Sequence, residues 1–563
     1  MKQAFLLATV LIAATFCCAQ DVAGDWQGTL SAGGAELRLV LHLNKSPDGS
    51  LKATLDSVDQ SANGIPVNTV TLKDSKLSLD VSAVHGTYEG KVSADAKTIS
   101  GTWTQGQPMP LEFKRANSPV KTEHKAAKPS DIDGAWLGTL DTGSMKLRVV
   151  FHITNTEDGL TATMDSPDQG MKGLPTTSVV RNGTSLTIEA KQIAGVFEGT
   201  ISTDQSTIDG KWTQGGGTLP LVLKRTKDVA ELETKHPQVP TKPYPYREED
   251  VTYNNTVQNV TLAATFTTPK GTGPFPAVLL ITGSGPQDRD ESLLGHKPFL
   301  ILSDYLTRHG IAVLRADDRG TGKSTGVFGT ATSADFATDV EAGVAYLKTR
   351  PEVNLHKIGL VGHSEGGVIA PMVAARNRDV AFIVMMAGTG VPGDQVLVAQ
   401  GEAIQIASGK NPDDAAKDAA KEKEMLALVE TEKDPAVLEK ELKEKMAGDV
   451  PEAQIGVQIK QITSPWFRYF LTYDPATALR KVTCPVLVIN GALDKQVLPA
   501  QNLPPIRKAL QEAGNKNVEV DELPGLNHLF QTAKTGAPSE YAQIEETMSP
   551  TALEKISSWI LKQ

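Results

Sequence analysis

Two rhythms of hydrophobic and polar positions run along the chain. Before about residue 227 apolar residues come in short alternating runs, such as Leu37, Leu39, Leu41 and Leu43 on one face of an extended segment. Turn signals such as Pro47-Asp48-Gly49 and Asp158-Gly159 separate the runs, and no stretch of helical period exceeds a few residues. Period-two alternation broken by Gly-rich turns predicts many short strands, hence a small antiparallel barrel or sandwich. From about Val251 the pattern changes to continuous apolar runs at Ala277–Ile281, Ile311–Leu314, Ile358–Val361, Ala381–Met386 and Val486–Ile489, with amphipathic stretches between them. Such runs predict a parallel sheet with helices on both faces. Ligands of these sheets bind beyond the carboxyl ends of the strands.

The alternating part is a duplication. Gly24-Asp25-Trp26-Gln27-Gly28-Thr29-Leu30 matches Gly134-Ala135-Trp136-Leu137-Gly138-Thr139-Leu140, and Gly101-Thr102-Trp103-Thr104-Gln105-Gly106 matches Gly210-Lys211-Trp212-Thr213-Gln214-Gly215. The offset stays at 109–110 residues over about 95 positions, a register that chance does not hold. Trp26, Trp103, Trp136 and Trp212 are expected in the cores. His42 and His152 are expected to be structural, since no second ligand-type residue stands near them at metal spacing. A glycan- or lipid-binding role for the repeats is compatible with the sequence but not demanded by it.

Ahead of the repeats, Lys2 is followed by an apolar run from Ala4 to Phe16 and by Cys17-Cys18-Ala19. This is the layout of an export signal, cleaved after Ala19. Its apolar run of about thirteen residues falls short of the roughly 20 that span a bilayer. Cleavage leaves one cysteine, Cys484, so the exported chain has no internal disulfide and rests on packing alone. Its location is expected to be periplasmic or extracellular. The expected organisation is a signal at 1–19, a first β-rich repeat at 20–116, a linker at 117–130, a second repeat at 131–227, a Pro-rich linker at 228–250 and an α/β domain at 251–563.

The α/β domain carries the chemistry. After the run Ile358–Val361 comes Gly362-His363-Ser364-Glu365-Gly366, then a helical stretch. G-x-S-x-G between a strand and a helix is the sharp turn that lifts a nucleophilic serine above a sheet. A second match, Gly322-Lys323-Ser324-Thr325-Gly326, lies well past its strand and starts no helix, so context selects Ser364. Gly322-Lys323-Ser324 also mimics a phosphate loop, but the first glycine of that motif is replaced by Asp317, which argues against nucleotide binding. Asp494, just beyond the strand Val486–Ile489, and His528, in the loop after Val518–Val520, complete the chain order Ser, Asp, His of a hydrolase triad. The oxyanion donors are expected to be the Glu365 N–H and a donor in Gly283-Ser284-Gly285, with Ser284 preferred and Gly283 beside it.

These motifs resemble the α/β-hydrolase superfamily, serine aminopeptidase-like, and within it a group of secreted bacterial esterases. The resemblance rests on Gly283-Ser284-Gly285-Pro286-Gln287-Asp288-Arg289-Asp290, on Asp317-Asp318-Arg319-Gly320-Thr321-Gly322-Lys323-Ser324 and on the segment Ser464 to Phe470. It covers a little over half the chain. It implies an α/β-hydrolase domain, carboxylic-ester hydrolysis and catalytic roles for Ser364, Asp494 and His528. Thr282 stands where many such hydrolases carry histidine before the oxyanion glycine.

Between about 391 and 463 lies an insertion whose residues 401–450 include 21 charged side chains, with helical stretches at Ala415–Glu430 and Pro435–Met446. It is expected to form a helical lid over Ser364. The whole chain has 66 acidic and 56 basic residues and only 5% aromatics, which excludes the basic, base-stacking surface of a nucleic-acid binder. The expectation is a serine esterase acting on a small-molecule ester, with no metal or organic cofactor, no membrane span and no nucleic-acid partner. Two alternatives remain open: a serine aminopeptidase on small peptides, and a binding protein with a vestigial hydrolase domain.

Overall fold

In a computed structural model of the chain, the structure describes residues 22–32, 35–45, 51–57, 62–73, 75–81, 86–93, 95–105, 107–115, 128–141, 146–156, 159–169, 171–214, 217–227, 235–448, 450 and 452–563. The expected signal at 1–19, most of the linker at 117–130 and the segment 228–234 lie outside the described residues.

Each repeat forms one nine-stranded sheet. In the first, the strands run as an antiparallel meander whose opening strand Gly24–Ala32 pairs both with Ala35–Lys45 and with the last strand, Gln107–Arg115. Pairing of first and last strands curls the meander into a barrel-like sheet, and the second repeat has the same strand order. The tryptophans sit where expected: Trp26 and Trp136 are fully buried, and Trp103 and Trp212 nearly so. Arg115 covers the Trp26 ring at 4.7 Å and Arg225 covers Trp136 at 4.5 Å, a duplicated cation–π contact. Gly86 and Gly195 leave room for the other tryptophan of each pair. A Cβ there would lie 2.2 Å from Trp103 Cζ2 and 2.3 Å from Trp212 Cζ2.

His42 and His152 are held by carboxylates. His42 Nδ1 meets Asp25 Oδ1 at 2.7 Å and Nε2 meets Asp56 Oδ2 at 3.0 Å, while His152 Nε2 meets Asp165 Oδ2 at 2.7 Å. Burial alone would lower the His42 pKa, but Asp56 and Asp25 more than offset it and hold it above the ordinary 6.5. A raised folded pKa gives stabilisation that is fully present below pH 6.5 and is lost as pH rises through the folded value. Replacing His42 by Asn is therefore expected to cost the first repeat about 1–3 kcal/mol at pH 6 and distinctly less at roughly pH 8.5. Urea unfolding at the two pH values checks this, and equal losses would contradict it.

The C-terminal domain is built on an eight-stranded sheet. Its strands are β1 (Arg247–Asn255), β2 (Val260–Thr268), β3 (Phe275–Ile281), β4 (Ala312–Ala316), β5 (Val353–His363), β6 (Phe382–Met386), β7 (Val486–Gly491) and β8 (Val518–Leu523). The order is β1-β2-β4-β3-β5-β6-β7-β8. From β4 onward every neighbour is parallel, as expected. At one edge two further strands join the expected parallel sheet: β1 and β2 run antiparallel to each other and β2 antiparallel to β4. No apolar run marks β2 because it is threonine-rich, yet Thr265, Thr267 and Thr268 are buried. Thr267 Oγ1 shares hydrogen bonds with Thr307 at 2.7 Å and Ser303 at 3.2 Å, which makes its burial tolerable.

Alternate residues of β3 feed opposite cores. Ala277, Leu279 and Ile281 pack with α2 (Ser333–Leu347) and α3 (Glu365–Ala374), while Val278 and Leu280 pack with α1 (Pro298–Arg308) and the last helix, Pro550–Ile560. Between β6 and β7, ahead of a short helix at Ala476–Leu479, stand five longer helices among the described residues, α4 (Gly393–Ala407), α5 (Pro412–Thr431), α6 (Pro435–Met446), α7 (Glu452–Ile462) and α8 (Pro465–Thr472). They share a core of their own around Leu426, Leu438 and Leu442. The segment 235–246, expected to be a spacer, is docked on the domain. Gln238 Nε2 donates to Met548 O at 2.7 Å, and its Oε1 accepts from Thr547 N–H at 2.6 Å.

Candidate active site

The strand β5 runs straight into Ser364, whose φ of 53° and ψ of −113° make the turn before α3. Positive φ strains a residue with a Cβ, and such strain is stored at functional turns. Both flanking glycines are required by contact. A Cβ on Gly362 would lie 1.9 Å from Gly366 O, and one on Gly366 would lie 2.1 Å from Ile281 O. The Ser364 N–H donates to Met386 O at 2.8 Å, which ties the turn to the end of β6. Ser324, the rejected match, sits in a turn with its Oγ donating to Asp317 O at 2.8 Å.

Asp494 and His528 come from the loops after β7 and β8. His528 Nδ1 meets Asp494 Oδ2 at 2.8 Å, and both side chains are buried. The other oxygen of Asp494 accepts from Gln496 N–H at 2.8 Å and Val497 N–H at 2.9 Å, so the carboxylate cannot rotate without breaking backbone bonds. The Asn527 carboxamide oxygen accepts from Leu529 N–H at 3.0 Å and Gln531 N–H at 2.9 Å, which fixes the His528 loop. Among the described residues no hydrogen bond joins Ser364 Oγ to His528. Such contacts are often long in resting enzymes and tighten with substrate.

The loop expected to supply an oxyanion donor follows β3, and Gly283 lies close enough that a Cβ on it would sit 3.4 Å from Ser364 Cβ. The N–H groups of Glu365 and Ser284 are given to no partner among the described residues. Gly283 is the correction to the expected donor set: its N–H is already donated to Glu291 Oε1 at 2.8 Å. Sequence reasoning missed the pairing of Glu291 with His363. These two are buried and paired, with His363 Nδ1 2.9 Å from Glu291 Oε1 and Nε2 3.0 Å from the His528 carbonyl oxygen. Nothing in the spacing announces a partnership across 72 residues.

Beside the loop after β3 is a small cavity of about 50 Å³ lined by Thr282, Gly283, Asp318, Phe336, Glu365 and Ile369, among others. Two of its carboxyls, Glu365 and Asp318, are shifted toward the neutral form. Burial raises the Glu365 pKa against the pull of hydrogen bonds from Ser333 Oγ at 2.6 Å and Trp466 Nε1 at 2.8 Å. Burial likewise pushes Asp318 up to about 8, although Gln287 N–H and Thr282 Oγ1 donate to it. Trp466 comes from α8, within the segment Ser464 to Phe470.

A parallel sheet with helices on both faces, carrying a serine on a strand-to-helix turn, gives the C-terminal domain the α/β-hydrolase fold. Residues 299–532 match the family described as serine aminopeptidase, S33. The chain is 27% identical over 323 residues to Esterase EstD of Thermotoga maritima, covering 57% of this chain and 69% of that one. It is 26% identical over 259 residues to an uncharacterized 31.7 kDa protein of Escherichia coli, covering 45% and 82%. Among solved structures, the esterase Pf2001 of Pyrococcus furiosus aligns at 16% identity over 56% of this chain and 93% of that one, with a TM-score of 0.35. Est1E of Butyrivibrio proteoclasticus with bound ferulic acid aligns at 20% identity over 56% and 98%, with a TM-score of 0.34. Residues 299–532 are thus similar to the serine aminopeptidase, S33 family, and the chain is similar to a protein named an esterase. Among the described residues no helix is long and apolar enough to cross a membrane. Glycan or lipid contact through the repeats finds no support here.

Proposed function

We propose that the chain is an exported serine esterase whose C-terminal domain hydrolyses small carboxylic esters by acyl transfer through Ser364, His528 and Asp494. The reading is carried by the 2.8 Å bond between His528 Nδ1 and Asp494 Oδ2, buried at the ends of adjacent parallel strands on the side of the Ser364 turn. His528 takes the Ser364 proton as Oγ attacks the ester carbonyl. Negative charge on the carbonyl oxygen is met by the Glu365 and Ser284 N–H groups. His528 passes the proton to the leaving alcohol, and water then hydrolyses the acyl-enzyme. Export rests on the charge, apolar and small-residue layout of residues 1–19.

Peptide hydrolysis from a free amino terminus is disfavoured by the acids of the pocket. An ammonium group needs a free ionised carboxylate; of the acids lining the pocket, Asp317 is bound by Arg289 and Asp339 by Arg319, while Asp318 and Glu365 are held toward the neutral form. A fluorophosphonate probe followed by a substrate panel tests this. Covalent labelling is expected, with kcat/KM for short esters at least about 100-fold above that for aminoacyl amides. The reverse order would favour the aminopeptidase, and no labelling would favour a binding protein.

A further inference from the structure

His363, beside the proposed nucleophile, has an oxygen at each ring nitrogen. Nε2 faces the His528 carbonyl oxygen at 3.0 Å, which can only accept, so Nε2 carries a hydrogen. Nδ1 faces Glu291 Oε1 at 2.9 Å, and the same oxygen already accepts the Gly283 N–H at 2.8 Å. An oxygen taking a backbone donor in line is best served as an ionised acceptor, which leaves the second proton on Nδ1. All three partners are buried, and the His363 and His528 rings stand 4.8 Å apart. One imidazolium thereby joins three separate pieces: the oxyanion loop through Glu291, the serine turn on which it sits, and the loop of the proposed base.

We infer that Glu291 and His363 form a buried ion pair that acts as a positioning unit, setting the Gly283–Ser284 loop and His528 against Ser364. The inference rests on the acyl-transfer reading. Neither residue touches the reacting atoms; each acts through the groups it holds. Burial lowers the His363 pKa, but Glu291, the His528 carbonyl and Asp494 together raise it above the ordinary value. The titratable groups facing His363 are Glu291, Asp494 and His528.

The test uses the full chain and a short nitrophenyl ester, with thermal melting followed in parallel. E291Q keeps the shape and the acceptor for the Gly283 N–H but removes the charge that holds the His363 proton. It is expected to lower kcat by about 10- to 100-fold with little change in KM, as for a misplacement of about 1 Å. E291D restores the charge at a shorter reach and is expected to recover part of the loss. A shape-only role predicts the opposite order, and finding it would overturn the ion pair. In the native protein kcat/KM falls on the alkaline side as His363 loses its proton, and E291Q moves that fall to lower pH. An unmoved profile overturns the proposal. The double variant E291Q/H363N is expected to lose no more than the worse single, since the two act as one unit, whereas multiplicative losses overturn it. Should H363N fail to fold, E291Q, E291D and the pH profile still decide. S364A is run alongside: if it keeps turnover the acyl-transfer reading falls and takes this one with it. If S364A is inactive while E291Q behaves as the native protein, the ion pair alone is refuted.

Discussion

Replacing Ser364 by alanine is expected to reduce kcat for a short nitrophenyl ester by about 10⁵–10⁶-fold and to abolish fluorophosphonate labelling. The substitution removes the only atom that forms the acyl bond while leaving the turn geometry, which depends on Gly362 and Gly366, untouched. KM is expected to change little, because the oxyanion loop and the pocket around Thr282 and Phe336 are retained. Residual turnover near 10³-fold above water would be unsurprising, since oriented backbone donors still act on a bound ester. Ser324→Ala is the matched control. That serine also stands in a G-x-S-x-G string, but its Oγ serves the Asp317 carbonyl and the Ala263 N–H, so activity is expected to persist. Ser364→Ala retaining more than about one part in 10³ of native kcat would remove the serine from the mechanism.

The contrast between these two serines shows what the chain discloses before folding. The three proposed catalytic residues could be picked out because each follows a strand, and in a parallel sheet the strands end on one side. Ser364 follows β5, Asp494 follows β7 and His528 follows β8, so strand-end position stood in for a distance. The Trp26 and Trp136 cores were legible because the duplication repeats them in register. What stayed hidden depends on contacts without local pattern. Glu291 lies eight residues past Gly283 in an irregular loop with φ of 53°, and only the folded loop turns its carboxylate back onto that N–H. The antiparallel β2 was hidden because its burial is satisfied by threonine hydroxyls rather than by apolar side chains. His42 was read as structural without its partners, since Asp25 and Asp56 stand 17 and 14 residues away on neighbouring strands.

Asp494→Asn is expected to cost about 10⁴-fold in kcat, though it changes a single atom and leaves the fold intact. The reason lies in which way the new amide must face. The Oδ1 side of Asp494 accepts two backbone N–H groups, from Gln496 and Val497. Asparagine can satisfy both only by keeping its oxygen there, which turns its NH₂ toward His528 Nδ1. A donor facing Nδ1 forces that nitrogen to be the acceptor, so the ring hydrogen moves to Nε2. An imidazole protonated at Nε2 cannot take the serine proton. With the native carboxylate the opposite holds: Oδ2 accepts the Nδ1 hydrogen at 2.8 Å and leaves Nε2 bare. The carboxylate also stabilises the imidazolium formed during attack, and the amide does not. Steady-state kinetics should therefore show the loss in kcat with KM nearly unchanged, while melting temperature stays within a few degrees of native because both backbone bonds survive. A loss below about tenfold would mean that Asp494 does not set the tautomer of the base.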